Sequence, residues 1–136
     1  MGLILDSSVV IAAERRGDTV EKLIEWVVSV AGDQAAALSA VGLTELAHGI
    51  YRAQNPEIRE RRQAFIDDLL RALVVYPYTT ATALLAAKID GEQQARGSKS
   101  PSAICWWASR RWSLASVLTV NVRHFRIIPG LQIVQL

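Results

Sequence analysis

The chain has 136 residues, 51% of them hydrophobic, and 15 Lys and Arg against 13 Asp and Glu give it a formal net charge of +2. That length predicts one domain spanning residues 1–136 with room for a real core; no apolar run approaches the ~20 residues that cross a bilayer, and the start of the chain lacks the basic region and long apolar segment of a signal peptide. The single cysteine, Cys105, excludes an internal disulfide and suits a cytoplasmic protein, while the small positive excess permits nucleic-acid binding without arguing for it.

The first element is a short apolar run, Leu3-Ile4-Leu5, that suits a buried strand and ends in Asp6. Ser7 or Ser8 suits the cap of a helix beginning near Val9. An Asp in this place suits a cap too, but it also stands at the carboxyl end of a strand, where open α/β sheets bind their ligands. Gly17-Asp18 breaks that helix. Asp18 or Thr19 caps the next one, which carries Val20, Leu23, Ile24 and Val27 on one face. Ala35 to Ala40 reads as a buried strand despite its weak strand formers. Leu43 to Ala53 reads as a helix with Leu43, Leu46, Ala47 and Ile50 on one stripe, and Glu45 in its first turns.

Asn55-Pro56 is a strong helix start, cap followed by proline. The helix should run to about Leu73, burying Ile58, Phe65, Ile66, Leu69 and Leu70 and showing Arg59, Arg61, Arg62 and Arg71 to solvent. Val74 to Tyr76 is a third strand. Thr79 or Thr80 caps a helix from Ala81 to about Arg96, and Gly97 suits its carboxyl end. Ser116 to Val120 is a buried strand ending at Asn121, and Pro129-Gly130 turns the chain into a last strand, Leu131 to Leu136. Strands alternating with helices predict an α/β fold with a mainly parallel central sheet flanked by helices.

Asp6, Glu45 and Asn121 share a description: each is an acidic or amide side chain at or just past the carboxyl end of a predicted strand. Oxygen ligands gathered in that way suit Mg²⁺ or Mn²⁺. The chain has no glycine-rich nucleotide loop, no Cys/His zinc spacing and no nucleophile elbow. A structural hydrogen-bonding role is expected of His48 and His124, because an ion of this kind prefers oxygen.

Four stretches, in order and spread over nearly the whole chain, resemble a PIN domain, and within that family the VapC-like toxin ribonucleases of bacterial type II toxin–antitoxin pairs. They are Leu3 to Ser8, Leu38 to Gly49, Ile89 to Gly97, and Thr119 to Phe125 followed by Ile128-Pro129-Gly130-Leu131. The resemblance implies the PIN-like three-layer fold and a divalent-metal-dependent endoribonuclease. Asp6 matches the family's first acid, Glu45 its second, and Asn121 a fourth position held by Asp or Asn. Ser8 matches a Ser or Thr that helps orient the metal site. An RNA substrate, a cognate antitoxin protein and a homodimer are implied in the same way.

One segment departs from the family. Its third acid belongs to a motif resembling Pro-x-Ala-Asp-Leu-Leu-Ile, where this chain has Pro101-Ser102-Ala103-Ile104-Cys105-Trp106-Trp107. Residues 104–115 hold three of the four tryptophans and the only cysteine. The family-like segment Ala-Asp-Leu-Leu-Val-Gly-Val-Thr-Ala-Leu-Glu-Leu-Gly, back-translated with suitable codons and stripped of the first base of its Asp codon, reads Ala-Ile-Cys-Trp-Trp-Ala-Ser-Arg-Arg-Trp-Ser-Leu-Ala. That is the sequence of residues 103–115. With the frame intact, an Asp stands at position 104 and completes the acids. With the frame shifted, the site has two carboxylates and one amide, and the alternative function is an impaired PIN-fold module that binds antitoxin or RNA without cutting.

Overall fold

The computed structural model describes residues 2–97, 116–120, 122–125 and 132–135. Asn121, Ile104 with the rest of the Trp-rich window, and the side chain of His124 lie outside the described residues.

Five strands form one sheet in the order β3-β2-β1-β4-β5, and every pairing is parallel. They are β1 (Gly2–Leu5), β2 (Ala35–Ser39), β3 (Val74–Tyr76), β4 (Ser116–Thr119) and β5 (Gln132–Gln135). The helices are α1 (Ser7–Arg16), α2 (Val20–Ala31), α3 (Ala40–Arg52), α4 (Pro56–Ala72), α5 (Thr80–Ala95) and the short α6 (Val122–Phe125). The expected three-layer α/β arrangement with a mainly parallel sheet is therefore present. Parallel strands are covered on both faces and so read as unbroken apolar runs. β1 and β4 show it: Leu3, Ile4, Leu5, Val117 and Leu118 are all buried.

The strand order carries the functional consequence. From β1 the chain steps outward through β2 to β3, then returns to the other side of β1 as β4 and continues to β5. The direction of winding reverses between β1 and β4. In open parallel sheets a crevice forms beyond the carboxyl ends of the strands at such a reversal, and ligands bind there.

The core is built around β1, α1, α2, α3 and α4. Leu3, Leu5, Val9, Val10, Leu23, Leu38, Leu46, Leu69 and Leu118 form one buried cluster. Each large aliphatic side chain buried there stabilises the fold by about 1.5–3 kcal/mol. The alanines of β2 are poor strand formers, yet β2 pairs on both edges, with β1 and β3; pairing and burial override local preference.

The structure shifts several boundaries. α1 starts at Ser7, before Val9, and ends where Gly17 takes a left-handed conformation (φ 77°) and returns its N–H to Ala13 and Glu14. α3 starts at Ala40, capped by Ser39, whose Oγ accepts from the Gly42 N–H at 2.9 Å. Ala40 thus belongs to α3, although the sequence pattern extends β2 through it. Asn55 caps α4 as its sequence predicts, accepting from the Glu57 and Ile58 N–H groups at 2.8 and 3.4 Å. On α4 the expected apolar face is narrower: Ile66 and Leu69 are buried, but Leu70 is 43% exposed.

Candidate active site at the β1–β4 switch point

Asp6 follows β1 directly and occupies the cap position of α1, yet its side chain makes no cap hydrogen bond. The carboxylate turns to the sheet edge instead. Thr119, the last residue of β4 and fully buried, donates its Oγ1 hydrogen to Asp6 Oδ2 at 2.7 Å. Ser8 donates its hydroxyl to the same oxygen. The Asp6 main chain is tied in as well, its N–H donating to the Leu118 carbonyl at 3.0 Å and its carbonyl accepting from the Val9 N–H at 3.0 Å. Asp6 itself is 7% exposed. Burying a carboxylate is costly unless hydrogen bonds compensate, and two hydroxyls supply that compensation.

Glu45 is the sixth residue of α3, beyond the first turn, and is exposed. The amino-end dipole acts within the first turn, so it does not account for an acid here. The partner of Glu45 is Ser7, whose Oγ donates to Glu45 Oε2. Ser7 or Ser8 was expected to cap α1. Both lie inside the helix, and each gives its hydroxyl to a different carboxylate. Two neighbouring residues at the start of α1 therefore hold one carboxylate each, Ser8 that of Asp6 and Ser7 that of Glu45, on the rim beyond the carboxyl end of β1.

The oxygen donors at this rim are two carboxylates and the hydroxyls of Ser7, Ser8 and Thr119. Both hydroxyls that reach Asp6 use Oδ2. A set made only of oxygen suits a hard divalent cation such as Mg²⁺ or Mn²⁺ better than Zn²⁺, whose sites favour nitrogen and sulfur. Among the described residues no group of three or more His, Cys, Asp or Glu side chains gathers. Position 121 is not among them.

A cavity of about 360 Å³ opens beside Glu45 between α1, α3 and α4. Val10, Ile11, Leu46, Phe65 and Ile66 give it apolar walls, and its charged lining is mixed, Arg15, Arg52 and Arg62 standing with Glu14 and Glu45. His48 is exposed and lines the same cavity. The sequence assigns Arg62 to a solvated face, but the structure gives it two partners inside the fold. Its Nε pairs with Glu14 Oε1 at 3.2 Å and its Nη1 donates to the Gly49 carbonyl at 2.7 Å. Arg62 on α4 thereby clasps α1 and α3. Sequence reasoning missed Ser7, Thr119 and Arg62. The sequence pattern carried β4 through Val120, whereas the structure ends it at Thr119, so the hydroxyl at the strand's end was passed over; nothing local marks Arg62 apart from its neighbours.

No helix among the described residues is long and apolar enough to cross a membrane. No family model matches the chain. The chain is 31% identical over 134 residues to ribonuclease VapC1 of Rickettsia felis, covering 98% of this chain and 95% of that protein. Among solved structures, VapBC2 of Rickettsia felis bound to a DNA fragment from its promoter superposes with a TM-score of 0.82 at 18% identity, over 100% of this chain and 99% of that one. VapBC-1 of nontypeable Haemophilus influenzae superposes with a TM-score of 0.75 at 24% identity, over 99% and 98%. With a 31% identical match that spans almost its entire length and a shared fold, the chain belongs to the PIN-domain VapC family.

Proposed function

We propose that this protein is a divalent-metal-dependent endoribonuclease that acts as the toxin of a toxin–antitoxin pair. The observation that carries the reading is the common rim, where Asp6 and Glu45 are tied through adjacent serines at the β1–β4 switch point. The named relative, a ribonuclease, supports the same activity. Asp6 and Glu45 would hold Mg²⁺ or Mn²⁺, which would supply activation of water and neutralisation of charge on the scissile phosphate. Ser8 and Thr119 hold Asp6 in one orientation, both donating to its Oδ2. Asn121, two residues past Thr119, is assigned the fourth position of the site by family resemblance. Arg15 and Arg52 on the cavity beside Glu45 attract the phosphates of an RNA strand.

The partner in this reading is an antitoxin, as in the VapBC complexes whose toxin fold this chain shares. The cavity between α1, α3 and α4 suits a segment that buries apolar side chains against Phe65 and Ile66 and offers carboxylates to the arginines. A homodimer belongs to the same proposal.

The test is cleavage of a structured RNA by the full chain in Mg²⁺, in Mn²⁺ and in a chelator, beside Asp6→Asn and Ile104→Asp. The expected result is metal-dependent cleavage, absent in Asp6→Asn and raised in Ile104→Asp, which restores the third acid. Cleavage that persists at full rate in chelator removes the metal from the mechanism. No cleavage by any chain, Ile104→Asp included, removes the nuclease.

A further inference from the structure

Of the two serines after Asp6, only Ser8 is accounted for by family resemblance. We infer that Ser7 is a positioning residue for Glu45, fixing the carboxylate in the orientation that receives the cation; the inference rests on the metal-site reading above and deepens it.

Glu45 is exposed on the side of α3. A glutamate there has three rotatable bonds, and its carboxylate samples many positions unless something holds it. Ser7 is the first residue of α1 and is 7% exposed, and its hydroxyl reaches Glu45 Oε2 across 38 positions of sequence. Residues adjacent on a helix point about 100° apart, which is why Ser7 reaches α3 while Ser8 turns back to Asp6. An O–H donor on a carboxylate makes a charge-assisted bond, stronger than one between neutral groups. An ionised carboxylate has about four acceptor positions, so one hydroxyl on Oε2 leaves capacity for a cation.

A plain structural role would be to tie α1 to α3, but that task is already done. Arg62 joins Glu14 of α1 to the Gly49 carbonyl of α3, and Val10 and Leu46 belong to one buried core. What Ser7 adds is control of the Glu45 carboxylate itself. Partners that orient metal ligands in this way typically change metal affinity 10–100-fold when removed.

The experiment is Mn²⁺ titration of the metal-free chain, read by electron paramagnetic resonance, with a thermal melt of each metal-free variant. The variants are Ser7→Ala, Ser7→Thr and Glu45→Gln. Ser7→Ala is expected to raise the Mn²⁺ concentration for half-saturation by about tenfold while the melting temperature stays within a few degrees of the parent. Ser7→Thr keeps the hydroxyl and is expected to restore most of the affinity. Parent-like Mn²⁺ binding by Ser7→Ala, alongside weakened binding by Glu45→Gln, overturns the inference and leaves the metal site standing. A Ser7→Ala chain that melts far lower with unchanged Mn²⁺ binding, or does not fold, also overturns it, because the hydroxyl then serves the fold. A parent chain that binds no Mn²⁺ overturns the metal reading first and this inference with it.

Discussion

Asp6 and Glu45 each accept a hydroxyl from the first turn of α1, but their surroundings have little else in common. Asp6 sits in a buried corner where β1 hands over to α1, with β4 beside it, and its backbone and side chain are both held by hydrogen bonds to elements of the sheet layer. Glu45 stands in the open on α3, and its place depends on how α3 packs against α1 and α4. One carboxylate is located by strand pairing, the other by helix packing. Strand register is set along a whole ladder of backbone bonds, and slipping it by one residue reverses every side chain. Helix packing is set by side chains, and a change a few ångströms away can move the residue it carries.

Variants on each side of the rim test that contrast. The largest effect is expected from Asp6→Asn, which removes half of the carboxylate charge at the rim: RNA cleavage should fall to background while the fold survives, since an amide oxygen still accepts from Thr119 and Ser8. Retained cleavage would detach the chemistry from the buried corner. Next comes the core that holds that corner. Leu5→Ala, at a fully buried position of β1, should destabilise the chain by about 2–5 kcal/mol in denaturant titration.

Arg62→Ala acts on the helix-packed side. It removes the partner of Glu14 and the donor to the Gly49 carbonyl at a half-buried place. A cost of about 1–2 kcal/mol is expected, between the values for exposed and fully buried pairs. Mn²⁺ affinity should weaken with it, because α3 carries Glu45; an Arg62→Ala chain with lowered stability and parent-like Mn²⁺ binding would show that the clasp does not reach the site. The smallest effect is expected from Arg71→Ala. Its pair with Asp68 on the surface of α4 is open to solvent on both sides, and such pairs contribute less than about 1 kcal/mol. A melting temperature close to the parent's is the expected reading.

Most of the element order was legible in the chain. Asn55-Pro56 marks the start of α4, Thr19 and Thr79 cap α2 and α5 by their side-chain oxygens, and the apolar runs of β1 and β4 announce strands buried on both faces. Boundaries were less legible. α1 and α3 both begin earlier than their apolar spacing suggests, because Ser7 and Ser8 look like caps and turn out to serve carboxylates, while Ser39 takes the capping role at α3. Leu70 was misjudged for a related reason: a helix pattern offers more apolar positions than a narrow contact with the core uses.

By itself, the amino-acid sequence determined the alternation of strands and helices and the chemical kind of the site residues, since periodicity, caps and turn residues act over a few neighbours and need no knowledge of the fold. It also marked Asp6 and Glu45 as carboxylates following strands. What only the tertiary structure decided was their relation: a reversal of winding between β1 and β4 brings Thr119 onto Asp6, and the packing of α1 on α3 brings Ser7 onto Glu45. Those contacts join residues 113 and 38 positions apart, and separations of that size are set by which strands pair and which helices pack, information carried by the core as a whole and by no single stretch of it.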